Sequence, residues 1–297
     1  MNGSFVAWKE ATIHLMSHSV ARGSAIFEVL GFHDTAMGRA VFRLDDHINR
    51  LMRTAQLLDM ELPLSREALS MAVRNTVRRN EISQGLIKIV CFYPQIAFEV
   101  VPPQRVLDVA IFVLDSETQE SGSGLSVTGG ARVCISRWRK LDPETVPVQA
   151  KVAANYLNGM VAREDAKKRG FDFSIMLDRD GYIAEGATES VFLVQEGVLL
   201  TPALGTVLNG ITRRSLLEAA EATGISTREG QFPSDLLFSV EEIFLSGTPQ
   251  KLIPVEYLEE RRMEHVSEPL TDRLASLMDG ILTGRDERFR RWLFPID

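Results

Sequence analysis

Residues 146–159 read VPVQAKVAANYLNG and carry one charge, the ammonium of Lys151. Surface helices usually scatter their charges, so a single amine among small and apolar residues needs a reason. Two readings are open on this stretch alone. In one, Lys151 starts a helix and reaches into water, as most lysines do. In the other, burial disfavours the ammonium, and the neutral amine is a nucleophile held for a carbonyl. Either way the spacing predicts a helix running to about Arg169, with Val152, Tyr156, Met160 and Val161 on one face and Gly170 ending it.

The bulk numbers narrow the classes. The chain has 297 residues, 45% apolar and 25% charged, enough for one large globular domain or two ordinary ones. A net charge of −7 gives no electrostatic footprint for nucleic acid. No apolar run approaches the ~20 residues of a membrane span. The start, MNGSFVAWKE, lacks the basic flank and apolar core of a signal peptide, so a cytoplasmic location is expected. The sequon at Asn2 is then a chance match. Cys91 and Cys134 lie far apart in β-rich segments and read as buried thiols rather than a disulfide framework.

Outward from the lysine, helix and strand patterns mix in an α/β (α+β) arrangement. AIFEVLGFH and AVFRL form a hairpin around DTAMGR. Asp45 or Asp46 caps the helix DHINRLMRTAQLLDM, and Ser65 opens REALSMAVRNTVRRN. GLIKIVCFY and VLDVAIFVL are strands. DSETQESGSG (115–124) is polar, small and aperiodic, the best linker candidate. This gives a small N-terminal α/β domain over 1–117, a linker over 118–126 and a large C-terminal domain over 127–297. Strands FSIML, YIAEG, ESVFLV, VLLTP and EEIFLSG, the helix GITRRSLLEAAEATG and the closing helix EPLTDRLASLMDGIL fall in the latter. The terminal run RDERFRRW alternates acid and base and reads as a solvated face.

Four segments besides the lysine can carry chemistry, each weakly alone. In LNGITRRS, Gly210 precedes a helix start whose N–H groups and dipole suit phosphate, and Thr212 adds a hydroxyl. In FLSGTPQ a strand ends in Ser246, Gly247 and Thr248, exposing further donors. In YIAEGATES, Glu185 sits beside Gly186 and Ala187, where a flat ring can approach. A carboxylate there keeps a pyridine nitrogen protonated and makes the ring an electron sink. Arg50, on the first helix, reaches inward to a phosphate or lies at the surface. His14 and His18 have i,i+4 spacing but no third ligand, so no metal site is expected.

Together these segments resemble the class IV (fold-type IV) aminotransferases, most closely the branched-chain amino acid aminotransferases. The resemblance runs through MSHSVARGSAIFEVL, VFRLDDHINRL, AKVAANYLNG, GYIAEGATESVFLV, GVLLTP, LNGITRRSL, EIFLSGT and TGRDERFRRW, in order. It implies two α/β domains with pyridoxal 5′-phosphate between them, and a homodimer or higher homo-oligomer with neighbour residues entering each site. It implies that Lys151 forms the internal aldimine and shuttles the Cα proton, that Tyr156 bonds the phenolic oxygen and that Glu185 pairs with the pyridine nitrogen. Arg50, the Ile211 N–H, Thr212 and Thr248 hold the phosphate, Leu208 packs on the ring, and Gly210 and Gly247 belong to the same cofactor-binding set. The reaction so implied is transamination between a branched-chain or related amino acid and 2-oxoglutarate.

The substrate side departs from the branched-chain pattern. Relatives usually have an aromatic residue where Arg22 stands, glycine at Val29 and arginine at Lys88. Pro249 follows Thr248 where a backbone N–H often meets the substrate carboxylate, and proline has none. Arg22 and Lys88 either clamp a carboxylate or pair with local acids. Phe27 is either the wall of an apolar pocket or a core aromatic. Lys88 is more like the aminodeoxychorismate lyases of this fold. Val29 and Arg22 resemble the D-amino acid and (R)-amine transaminases.

Overall fold

Strand β1 (Ile26–Thr35) alternates buried Ile26, Glu28 and Leu30 with half-buried Phe27 and Val29, a period of two that sets a core face and an outer face. The computed structural model describes residues 1–115, 130–264 and 266–296; the expected linker over 118–126 lies outside them. The chain divides into two compact units, one of Met1–Gly124, Ala150–Ala154 and Ile281–Asp297, the other of Leu125–Gln149 and Asn155–Gly280. The segment around Lys151 and the C-terminal end thus group with the first unit, whereas the sequence placed both in the second.

In the first unit β1 pairs with β2 (Gly38–Phe42) through a turn at Ala36 and Met37, tighter than the loop expected. β3 (Gly85–Phe92) and β4 (Asp108–Asp115) extend the sheet on the other side of β1. Helix α1 (His18–Arg22) is short; α2 (Leu44–Leu57) and α3 (Arg66–Asn80) bury Leu51, Leu69, Val73 and Val77 with Leu30, Ile87 and Ile89 of the sheet. Ser65 caps α3 as expected, its hydroxyl accepting from the Ala68 N–H. The α2 cap is not Asp45 or Asp46 but Arg43, at φ 49°. The two acids occupy the first turn, and Asp46 takes the Arg43 guanidinium at 2.9 Å.

The C-terminal run is not a solvated face. Residues Glu287–Trp292 form a 3-10 turn that buries Phe289 and Trp292, and the Arg43 guanidinium stacks 3.7 Å over the Trp292 ring. The next residues, Leu293–Pro295, pair with β2 as the edge strand, labelled β14 in chain order. Aromatic spacing, masked by the flanking charges, decides this segment.

The second unit is built on β5 (Ala131–Ile135), β6 (Phe173–Leu177), β7 (Ile183–Gly186), β8 (Ser190–Gln195), β9 (Val198–Pro202), β10 (Thr227–Gly230), β11 (Glu242–Gly247), β12 (Lys251–Leu258) and β13 (Arg261–Arg262). Pairing runs β8–β11–β12–β5–β6–β7, and β7 pairs back to β8, closing a ring of strands around Val133, Ile175, Val191, Leu193 and Leu245. Helices α4 (Tyr156–Lys168), α5 (Ile211–Ala222) and α6 (Leu270–Leu282) complete the set, and Glu242 accepts from the first two N–H groups of α6. Cys91 and Cys134 are buried free thiols, and burial pushes them up to about 12 and about 11. No described helix is long and apolar enough to cross a membrane.

Candidate active site

Lys151 does not start a helix. Its carbonyl accepts from the Phe27 N–H at 3.1 Å, its N–H donates to the Thr54 hydroxyl at 3.2 Å, and Val152 bridges Ile26 antiparallel. The physical reason is local. Pro147 has no N–H to give to a helix, and Ala150 and Val152 bury in the first unit's core, so this backbone follows β1 instead. Helix α4 begins only at Tyr156, after a 3-10 turn over Ala153–Asn155. Its buried side is Gly159, Ala162, Asp165 and Ala166, and Met160 is exposed, so the expected apolar face is wrong by a rotation.

The lysine Nζ lies 4.7 Å from the centre of the Phe27 ring, and Lys88 Nζ lies 5.6 Å from the same centre. Lys88 faces Val29 directly across the β1–β3 ladder, so two of the residues that depart from the branched-chain pattern are one cross-strand pair. Arg22, at the end of α1, donates to the Phe98 carbonyl at 2.7 Å. His18 of the same helix bonds Ser24 Oγ and the Val100 carbonyl, which is what occupies its two ring nitrogens.

Behind β1 lies a cluster that the sequence reading missed. Glu28 is fully buried. Arg50 grips it with Nε at 2.7 Å and Nη2 at 2.8 Å, and His47 Nδ1 sits 2.8 Å from Oε2. Burial pushes the Glu28 carboxyl up, but the Arg50 charge and the bonds from Arg50 and His47 outweigh it and hold the group down at about 2. Burial lowers His47 below its ordinary value against the pull of Glu28, so the neutral ring donates its Nδ1–H. The signal was legible: a carboxylate at an inward position of IFEVL needs a buried partner.

In the second unit Glu185 is the penultimate residue of β7 and is nine-tenths buried. Oε1 lies 2.5 Å from Lys140 Nζ, and Oε2 accepts from the Leu208 N–H at 3.2 Å. Lys140 was not expected. A residue of the 146–159 stretch positions it: Asn158 accepts from the Leu141 N–H and donates to the Arg139 carbonyl, clamping the backbone on both sides of Lys140. Glu189, the other acid of YIAEGATES, is tied to Arg163 at 2.6 Å and to the Thr188 hydroxyl, so it holds the turn.

Within the second unit, the glycines beside the expected anion donors lie around the start of β8. Ser190 pairs with Glu185 on one side and with Ser246 on the other. A Cβ on Gly210 would stand 3.0 Å from Ser190 Oγ, and one on Gly247 would stand 3.9 Å from the Thr188 carbonyl oxygen. Gly210 is the N-cap of α5. Ile211 and Thr212 are its first residues, whose N–H groups have no acceptor within the helix. Thr248 and Pro249 form the turn from β11 into β12. Tyr156 is the first residue of α4.

The donor chemistry of each unit fits pyridoxal 5′-phosphate. The first unit offers an amine over an aromatic ring and a half-buried guanidinium. The second offers a fixed carboxylate beside a helix N-terminus suited to phosphate.

Comparison with known proteins agrees. Residues 25–258 match the family described as amino-transferase class IV. The branched-chain-amino-acid aminotransferase of Salmonella typhimurium is 32% identical over 100% of this chain and 96% of its own. The crystal structure of the Escherichia coli branched-chain amino acid aminotransferase superposes with a TM-score of 0.94 at 31% identity, covering 100% of this chain and 98% of that one. The branched-chain amino acid aminotransferase from Thermobaculum terrenum, in its PLP-form, gives 0.91 at 28% identity over 100% and 97%.

Proposed function

The chain belongs to the class IV aminotransferases, which use pyridoxal phosphate, and from that premise we propose that it moves an amino group between a branched-chain or related L-amino acid and 2-oxoglutarate at Lys151. The observation that carries the reading is the lysine's placement. Its backbone is stitched to β1 and α2, and its amine stands over Phe27 instead of trailing from a helix into water. A fixed amine of this kind would hold the cofactor and, once the substrate's own amine takes its place there, would be free to carry the proton away from the substrate Cα.

The bound cofactor supplies a protonated ring that accepts the electron pair left on Cα. The chain's residues do the rest. Glu185 keeps the ring nitrogen protonated, Tyr156 bonds the phenolic oxygen and Leu208 covers the ring. Arg50 and the donors of Ile211, Thr212 and Thr248 take the phosphate, with Gly210 and Gly247 admitting it closely. Phe27 lines the apolar side-chain pocket with Lys88 beside it, and Arg22 and the Pro249 turn shape the carboxylate end. The active form is a homodimer or larger homo-oligomer, supported by the exposed apolar Phe98, Val100 and Val101.

A second reading is favoured by the Val29–Lys88 pair: a D-amino acid or (R)-amine transaminase, or a lyase releasing pyruvate from aminodeoxychorismate. The test is a half-reaction. Cofactor-loaded protein is mixed with L-leucine, L-valine, L-glutamate, D-alanine or (R)-1-phenylethylamine without an acceptor, and its absorbance is followed. Loss of the long-wavelength band with L-leucine and L-glutamate supports the proposal. Loss only with D-alanine or the (R)-amine, or pyruvate formed from aminodeoxychorismate without an oxo acid, replaces it with the second reading.

A further inference from the structure

One face of α2 carries His47, Arg50 and Thr54, spaced i, i+3 and i+7. Thr54 holds the backbone of Lys151, and His47 and Arg50 both bond Glu28. We propose that Glu28 and His47 are positioning residues that fix the Arg50 guanidinium for the cofactor's phosphate, so that the anchor is formed before the cofactor arrives. This rests on the reading of Arg50 as a phosphate ligand.

The geometry distinguishes such a bracket from a simple strand-to-helix ion pair. The carboxylate is bound bidentately along the Nε–Nη2 edge, which fixes the guanidinium plane as well as its position. His47 occupies a further lone pair of Oε2, so the carboxylate cannot rotate away from the guanidinium without breaking a buried bond. Glu28 is wholly shielded, whereas the Arg50 side chain keeps a tenth of its surface exposed, so the carboxylate lies on the inner side of the arginine. A free arginine loses much rotamer entropy when it binds phosphate. One already held in place does not, and the difference appears as affinity.

The test separates phosphate recognition from folding by comparing two ligands, pyridoxal 5′-phosphate and pyridoxal, whose dissociation constants are measured by absorbance titration of the apoprotein. For Glu28→Gln the phosphate form weakens about tenfold, and pyridoxal, which lacks the phosphate, changes by less than about twofold. His47→Leu, a milder change should Glu28→Gln fold poorly, weakens the phosphate form about threefold with pyridoxal again unaffected. Arg50→Ala is the control for the underlying reading. If Arg50→Ala lowers the preference for the phosphate form and neither other variant does, Arg50 binds phosphate unaided and the inference is overturned. If Arg50→Ala itself leaves that preference intact, the phosphate reading fails and the inference with it. Equal weakening of both ligands in the Glu28 and His47 variants also overturns it, since that is what loss of structure alone produces.

Discussion

Lys140 Nζ lies 2.5 Å from Glu185 Oε1, and each of the two side chains keeps 11% of its surface exposed. Taking away one member of so sheltered a pair strands the other charge. Lys140→Met is therefore expected to cost about 3 kcal/mol of unfolding free energy, read from urea denaturation of the apoprotein. The loss shrinks when pyridoxal phosphate is bound, because a pyridinium gives Glu185 another cation. An equal loss with and without cofactor would count against the assignment of Glu185 to the ring nitrogen.

Gly159 ends the 146–159 stretch, and its value is closeness. A Cβ there would stand 2.2 Å from the Ala187 carbonyl oxygen, in the turn that follows Glu185. At an exposed helical site, Gly→Ala gains about 1 kcal/mol. Here the sign reverses, because a rigid backbone oxygen must move, and overpacking costs about 1 to 3 kcal/mol. Gly159→Ala should lower the melting temperature and weaken cofactor binding together. A variant as stable as the parent would show that the turn yields freely.

The fold was legible where the pattern was long and uninterrupted. α2, α3, α5 and strands β6, β7, β8, β9 and β11 follow from periodicity and from Ser65, Gly210 and the turn residues, whereas β10, β12 and β13 were not expected. What misled was context that no window of sequence contains. Lys151 looked helical because VAANY is helix-compatible, but its hydrogen bonds go to β1, far away in the chain. The C-terminal run looked solvated because its charges hide Phe289 and Trp292, which find Arg43 and β2 only in three dimensions. The cofactor residues were named through family resemblance, which identifies ligands of a shared group. The groups that hold those ligands, Lys140, Asn158, Glu28, His47 and Thr54, touch no cofactor in the expected scheme and lie outside the quoted motifs or silently within them.

Lys88 and Lys151 stand over the same Phe27 ring, and on the proposed reading Lys88 receives the second carboxylate of a dicarboxylic substrate. Lys88→Met should cut the efficiency of the half-reaction with L-glutamate about tenfold while leaving L-leucine within about twofold, the size of one charge-assisted contact. Stopped-flow rates against substrate concentration give both numbers. Equal losses on the two substrates would make Lys88 a scaffold cation.

Acid should unfold the first unit through Glu28 and His47, in two stages with the same sign. The Glu28 carboxyl is held at about 2 against an ordinary 4.5. Above the ordinary value this difference is fully present as stability, about 3 kcal/mol, and it is lost as pH falls from about 5 to about 2, where the unfolded chain binds the proton first. His47 is also depressed below its ordinary 6.5, so the unfolded chain protonates before the folded one and stability begins to fall as pH drops through that value. Denaturant midpoints taken across this range should therefore decline from the neutral side downward. Glu28→Gln should flatten the lower part of the curve, and His47→Leu the upper part. Midpoints that rise on acidification would mean that the buried carboxylate is already protonated in the folded protein, and that Arg50 is not held by a charge.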